Sequence, residues 1–294
     1  MFDTETMGMA VWPHPQSSLH GDFGSRPLYI SAGGRLLAFV YPFVEMLGPD
    51  LPRPTDESWS WASIEPPPPF VSSVVSGYAV HPDGRTVFVS VKDWRPDIPG
   101  KICSHYLDCR QSTFTFDMER HEWTHVGEWL LPFKGQAHYD RDLAAWIGLH
   151  FHIQHSRDDD LDTDGYLCCC DVPPLALGPG GRKSKKHKPA PTPHWKLSKE
   201  KLFVVDIERH IDAKLVPMGG GGGKFCLVEI LTREGVDRKG CLGDGDKCVL
   251  RLTTFRVNYS FGGGGELTIT DRLPAGEYKL SRYVDMFQVQ AFWM

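Results

Sequence analysis

Between residues 160 and 171 the chain reads Asp160-Leu-Asp162-Thr-Asp164-Gly165-Tyr-Leu-Cys168-Cys169-Cys170-Asp171. Carboxylates at the first, third and fifth positions, a glycine at the sixth and an acid at the twelfth reproduce the spacing by which a calcium loop wraps oxygen ligands around one Ca²⁺. The flanks argue otherwise. The closing acid is the shorter Asp, the ninth position is Cys, WIGLHFHI before the loop reads as strand, and Pro173-Pro174 forbids an exiting helix. Asp160, Asp162, Asp164 and Asp171 are therefore candidate Ca²⁺ ligands set against a plainer reading, an acidic hairpin tip between two strands. No other cofactor is expected. His150, His152 and His155 with Cys168 to Cys170 contain enough ligand atoms for zinc, since His150 and His152 share one strand face and a facing strand can present Cys168 and Cys170. The paired C-x-x-C or H-x3-H modules of zinc sites are missing, and small buried thiols are the plainer assignment.

Covalent catalysis finds no support. The chain has no G-x-S-x-G elbow, no H-E-x-x-H and no Cys-His pairing of familiar form. A recurring phrase, apolar-Asp-x-Glu, stands at Phe2-Asp3-Thr4-Glu5, Phe116-Asp117-Met118-Glu119 and Val205-Asp206-Ile207-Glu208. A catalytic carboxylate pair would occur once. Recurrence fits a corner between strands, where Asp accepts backbone N–H bonds. The run Arg182-Lys183-Ser184-Lys185-Lys186-His187-Lys188 has the form of a nuclear-import signal or of a solvated charge run. Of the tryptophans, Trp59, Trp61, Trp123, Trp129 and Trp146 read as core, while Trp94 and Trp195 lie in polar loops and are the interface candidates.

The elements that carry these residues are strands. PLYISAGGRLLAFVYPF from Pro27, GYAVHPDGRTVFVSV from Gly77, GQAHYDRDLAAWIGLHF from Gly135 and GKFCLVEILTREGV from Gly223 each read as a hairpin. Gly33-Gly34, Asp83-Gly84 and Asp140 to Asp142 supply turn chemistry, because Gly and Asp tolerate the positive φ of tight hairpins. A further strand pair follows, as in STFTFDMERHEWTHVGEW, where Phe114 and Phe116 share one face and Thr113 and Thr115 the other. Starts at 27, 77 and 135 match a blade period of roughly 50 residues. The expected architecture is all-β, a kelch-like propeller of about four complete four-stranded blades plus a partial or shared one. Its boundaries are a partial blade over 1–20, then blades near 21–75, 76–134, 135–217 and 218–294, with a disordered basic insert at 178–199. The runs Gly219 to Gly223 and Gly262 to Gly265 read as turns, since neither continues into Lys-Ser/Thr or a helix.

SGYAVHPDGRTVFVSV, TFTFDMERHEWTHVGEWLLPFKGQAHYDRDLAAWIGL, LCCCDV and LFVVDIERH together resemble a plant domain-of-unknown-function family, expanded in grasses and related to kelch and F-box-kelch propellers. The resemblance covers residues from about 20 to 220. It implies a kelch-type β-propeller and no established activity, and it carries over no catalytic residues. Phe2-Asp3-Thr4-Glu5 departs from the pattern, because no hairpin precedes it. Either an upstream blade is missing, or residues 2 to 12 complete a blade begun near the C-terminus, where FQVQAFW puts Phe287, Val289, Ala291 and Trp293 on one face.

A length of 294 residues is enough for such an array as one domain. A net charge of −5 argues against a nucleic-acid partner, which would ask for a basic face. No stretch reaches the roughly twenty apolar residues of a membrane helix, and no leader pattern opens the chain, so a cytoplasmic or nuclear location is expected. The eight cysteines are read as reduced. The expected function is a non-enzymatic scaffold binding an unknown protein partner through propeller loops. The alternative is a calcium- or metal-dependent sensor or enzyme centred on residues 150–171. No F-box-like helix precedes the array, so a ubiquitin-ligase role would need another chain.

Overall fold

The computed structural model describes residues 27–40, 43–48, 60–94, 110–150, 164–175, 190–203, 206, 208–219, 222–236, 245–260 and 266–280. Sixteen strands make up nearly all of this, with short 3-10 turns as the helical content among the described residues. The all-β expectation holds. Strands β1 (Leu28–Ala32), β2 (Arg35–Val40), β3 (Phe43–Gly48) and β4 (Ser60–Ile64) form one four-stranded sheet. The other twelve form a second sheet in the order β13-β14-β15-β16-β12-β11-β10-β9-β5-β6-β7-β8. They are β5 (Val75–Val80), β6 (Thr86–Trp94), β7 (Arg110–Asp117), β8 (Glu122–Gly127), β9 (Lys134–Asp140), β10 (Ala145–His150), β11 (Tyr166–Asp171), β12 (Trp195–Lys201), β13 (His210–Pro217), β14 (Lys224–Thr232), β15 (Cys248–Ser260) and β16 (Glu266–Lys279).

Pairing resolves into four consecutive antiparallel meanders, β1–β4, β5–β8, β9–β12 and β13–β16. Two parallel contacts join the last three. β5 runs beside β9 with Tyr78 opposite Gln136, and β12 meets β16 at Ser198 and Leu267.

Side-chain alternation explains how the meanders stack. In β2, Leu37 and Phe39 pack with Val87, Val89, Phe114 and Phe116 of the second meander. In β10, Trp146 packs with Phe88 of the second meander and Trp129 of the connection that follows it, while Ile147 and Leu149 face Leu215, Phe225 and Leu227 of the fourth. Both faces of an interior sheet are thus buried, and its strands read as continuous apolar runs such as Ala145-Trp-Ile-Gly-Leu149, buried throughout. Each large side chain so buried contributes on the order of 1.5–3 kcal/mol.

Local chemistry sets the turns. Gly33 and Gly34, at φ +57° and +71°, close the two-residue β1–β2 hairpin with Ala32 opposite Arg35. Elsewhere an aspartate closes the corner. Asp83 Oδ1 accepts the amides of Arg85 and Thr86, Asp117 Oδ1 those of Glu119 and Arg120, and Asp140 Oδ1 those of Asp142 and Leu143. Asp206 Oδ1 likewise accepts from Glu208 N. In the copies at Asp117 and Asp206 the aspartate phrase is a turn device, as its recurrence suggested, while Phe2-Asp3-Thr4-Glu5 lies outside the described residues. Its copies are not equivalent in the fold, however, since Asp117 sits between two strands of one meander and Asp206 in the connection from β12 to β13. The hairpin expected from Gly223 also needs correction. Residues Lys224–Thr232 are one strand, and its hairpin partner on the N-terminal side is β13, with Pro217 opposite Phe225. Burial on both faces of β14 removed the alternation that would have marked where the strand ends.

A hydroxyl relay fixes the connection from β8 to β9. Thr113 Oγ1 donates to the Trp129 carbonyl at 2.6 Å, so the 2.8 Å bond between Ser90 and Thr113 is donated by Ser90 Oγ, which accepts Leu131 N–H at 2.9 Å. That path drives Trp129, Leu131 and Phe133 into the interface between the second and third meanders. Phe133 fills the space left by two glycines. A Cβ on Gly77 would collide with the Phe133 carbonyl, and one on Gly148 would lie 2.7 Å from Phe133 Cβ. Gly148→Ala should therefore overpack the interface and destabilise the fold by roughly 1–3 kcal/mol, read as a lower urea midpoint at unchanged slope. Wild-type stability in that variant would show that Phe133 is not confined.

Candidate functional site

A set of polar residues lies on the first strands of the last three meanders. Lys134 and His138 come from β9, Asp212 and Lys214 from β13, and Tyr78 from β5. Alternation places Ala213 and Leu215 in the apolar interface with β10, which leaves Asp212 and Lys214 on the opposite face of β13. Lys214 Nζ stands 3.9 Å from Asp212 Oδ2, with the two side chains 30% and 23% exposed. Partial burial raises the Asp212 carboxyl and lowers the Lys214 ammonium from their ordinary values, and the charges of Lys214 and Lys134 work against that rise in Asp212. Tyr78 is buried, and burial together with the Asp212 charge raises its phenol. His138 Nε2 donates to the Leu215 carbonyl at 2.8 Å, tying β9 to β13. Burial lowers that imidazole to about 4, against the effect of the same hydrogen bond, so the ring is neutral at physiological pH. The cluster offers two ammoniums, a phenol and one carboxylate, groups suited to binding. Its members are separated by well over a hundred residues, and no local motif announces them.

The sequence candidates fare differently. Asp164 is buried in the turn before β11, and Asp171 is the last residue of β11. A paired, extended strand lies between them, which puts them about 20 Å apart. An extended strand thus separates the fifth and twelfth positions of the calcium spacing. Asp160 and Asp162 lie outside the described residues, as do His152 and His155 of the zinc reading. β11 does face β10, with Cys168 opposite Gly148 and Cys170 opposite Trp146. Cys168 and Cys170 are buried, and burial raises all three adjacent thiols, Cys169 to about 11 and Cys170 to about 12. Among the described residues no group of three or more His, Cys, Asp or Glu is arranged to hold a metal ion.

Trp94 and Trp195 both belong to strand ends and not to loops. Trp94 closes β6 opposite Arg110, and Trp195 opens β12, 41% exposed and stacked on His150 at 5.8 Å. Trp61, Trp129 and Trp146 are core, as expected. Trp129 Nε1 donates to the Ala190 carbonyl and Trp146 Nε1 to the Val80 carbonyl, which satisfies the polar end of each ring. Arg182, Lys183, Lys185, Lys186 and Lys188 fall outside the described residues. Another polar pair that sequence reading passed over is buried in the fourth meander. There, Asp206 N–H donates to His210 Nδ1 at 2.8 Å, which leaves Nε2–H to donate to Glu229 Oε1 at 2.8 Å. Arg251 stands 3.9 Å from the same carboxylate and bonds Glu277 at 2.9 Å. This row spans all four strands and ties them together. No helix among the described residues is long and apolar enough to cross a membrane.

The profile of a family described as "Protein of unknown function (DUF1668)" matches residues 1–275 of this chain. No curated protein matches it. Among solved structures it is similar to Kuenenia stuttgartiensis hydrazine synthase, at 13% identity and a TM-score of 0.35. That match covers 86% of this chain and 65% of the other, so this chain spans less than two thirds of its length. A likeness that slight carries neither fold nor activity across.

Two measurements check the site. His138 is held neutral by the fold but titrates near 6.5 when unfolded, so it contributes stability above that pH and loses it as pH falls toward about 4. Urea unfolding between pH 7 and 4 should show His138→Gln losing less stability with acid than wild type, by on the order of 2–3 kcal/mol. Parallel curves would remove His138 from the acid response. Cys168 and Cys170 should also resist a thiol reagent at pH 8 until denaturant is added. Rapid labelling of either in the native protein would contradict their burial.

Proposed function

We propose that this chain, which belongs to the DUF1668 family, is a kelch-like β-propeller that serves as a non-enzymatic scaffold for protein binding. One observation carries the ring. The two terminal meanders have apolar outward faces, with Leu36, Ala38, Leu47 and Trp61 buried in the first and Ile230 and Cys248 in the fourth. A linear stack of repeats needs polar outer faces on its terminal units, whereas a closed ring lets both faces of every unit pack. The aspartate-closed corners then form short loops on a rigid body, an arrangement suited to recognition.

Its side-chain chemistry supports binding over catalysis. The thiols of β11 are kept protonated, His138 is neutral and engaged, and the lysines of the polar cluster share a carboxylate. Trp195 is an exposed aromatic, as are Phe43, Tyr139 and Tyr278, and of these Trp is the type most favoured at binding hot spots. The basic run Arg182 to Lys188 fits import into the nucleus, with the protein dividing its time between nucleus and cytoplasm. A plant source is part of the same proposal, resting on the sequence resemblance.

The test is affinity purification of the tagged protein from its own tissue, with and without EDTA, beside Trp195→Ala and Asp160→Ala/Asp162→Ala/Asp164→Ala. Partners should survive chelation and the triple change, and fall by about tenfold or more with Trp195→Ala. Loss on chelation and in the triple variant would instead favour a metal-dependent sensor built on residues 150–171.

A further inference from the structure

We draw no further inference here: the strongest candidate, the aromatic patch on β10, β11 and β12 where the exposed Trp195 stacks on His150 and Lys201 lies over the Tyr166 ring, is part of the contact surface already proposed, and nothing among the described residues shows what covers it.

Discussion

A four-stranded sheet that is apolar on both faces cannot stand in water, and this condition governs the whole molecule. Trp146 and Ile147 are neighbours in β10, yet they enter different clusters, one shared with the second meander and one with the fourth. Deleting either neighbour would uncover half of that strand. Each meander is therefore stable only as part of the set. The connections between meanders inherit the same demand, and so the path from β8 to β9 carries Trp129, Leu131 and Phe133 inward instead of running as an open loop.

Burying so much backbone makes every polar group inside it a liability unless it is partnered. The structure meets this with short local devices. Aspartate side chains take the amides that turn away from the ladder at four corners. Ser90 and Thr113 pass a hydrogen bond from the Leu131 amide through to the Trp129 carbonyl. Glu229, buried in the fourth meander, is held by His210 and lies near Arg251. The exposed pairs at the turns, such as Arg85 with Glu119 at 2.7 Å, add little by comparison, since both side chains stay largely in water.

What the sequence made legible follows from how local each signal is. The turns at Gly33-Gly34, Asp83-Gly84 and Asp140 were readable because glycine conformations and aspartate side chains act within three residues. The alternation of Phe114 with Thr113 and Thr115 was readable because β7 presents phenylalanines to the first meander and Thr113 to the hydroxyl relay. The same logic misled where both faces are buried. β14 has no polar alternate to mark its face, and its end could not be told from a turn. In the acidic loop, ligand spacing likewise says nothing of the extended β11 that separates Asp171 from Asp164. Trp195 was placed in a loop because its neighbours are polar, although a strand exposed on one face has that same composition. The cluster of Tyr78, Lys134, Asp212 and Lys214 was out of reach altogether. Only the lining up of three first strands brings those residues together, and that depends on Phe133 and the glycines that make room for it.

That dependence links the packing to the polar cluster. Gly77 and Gly135 stand opposite one another where β5 meets β9, and Phe133 packs against Gly77 just before β9 begins. The same few residues that close the interface between the second and third meanders therefore set where Lys134 emerges. On the other side, the His138 bond to the Leu215 carbonyl fixes β13, and with it Asp212 and Lys214, relative to β9. Charged side chains on long stems are poor anchors when their backbones drift, because the entropy of holding them offsets the attraction. Here the backbones are pinned by apolar contacts and by the part-buried His138 hydrogen bond.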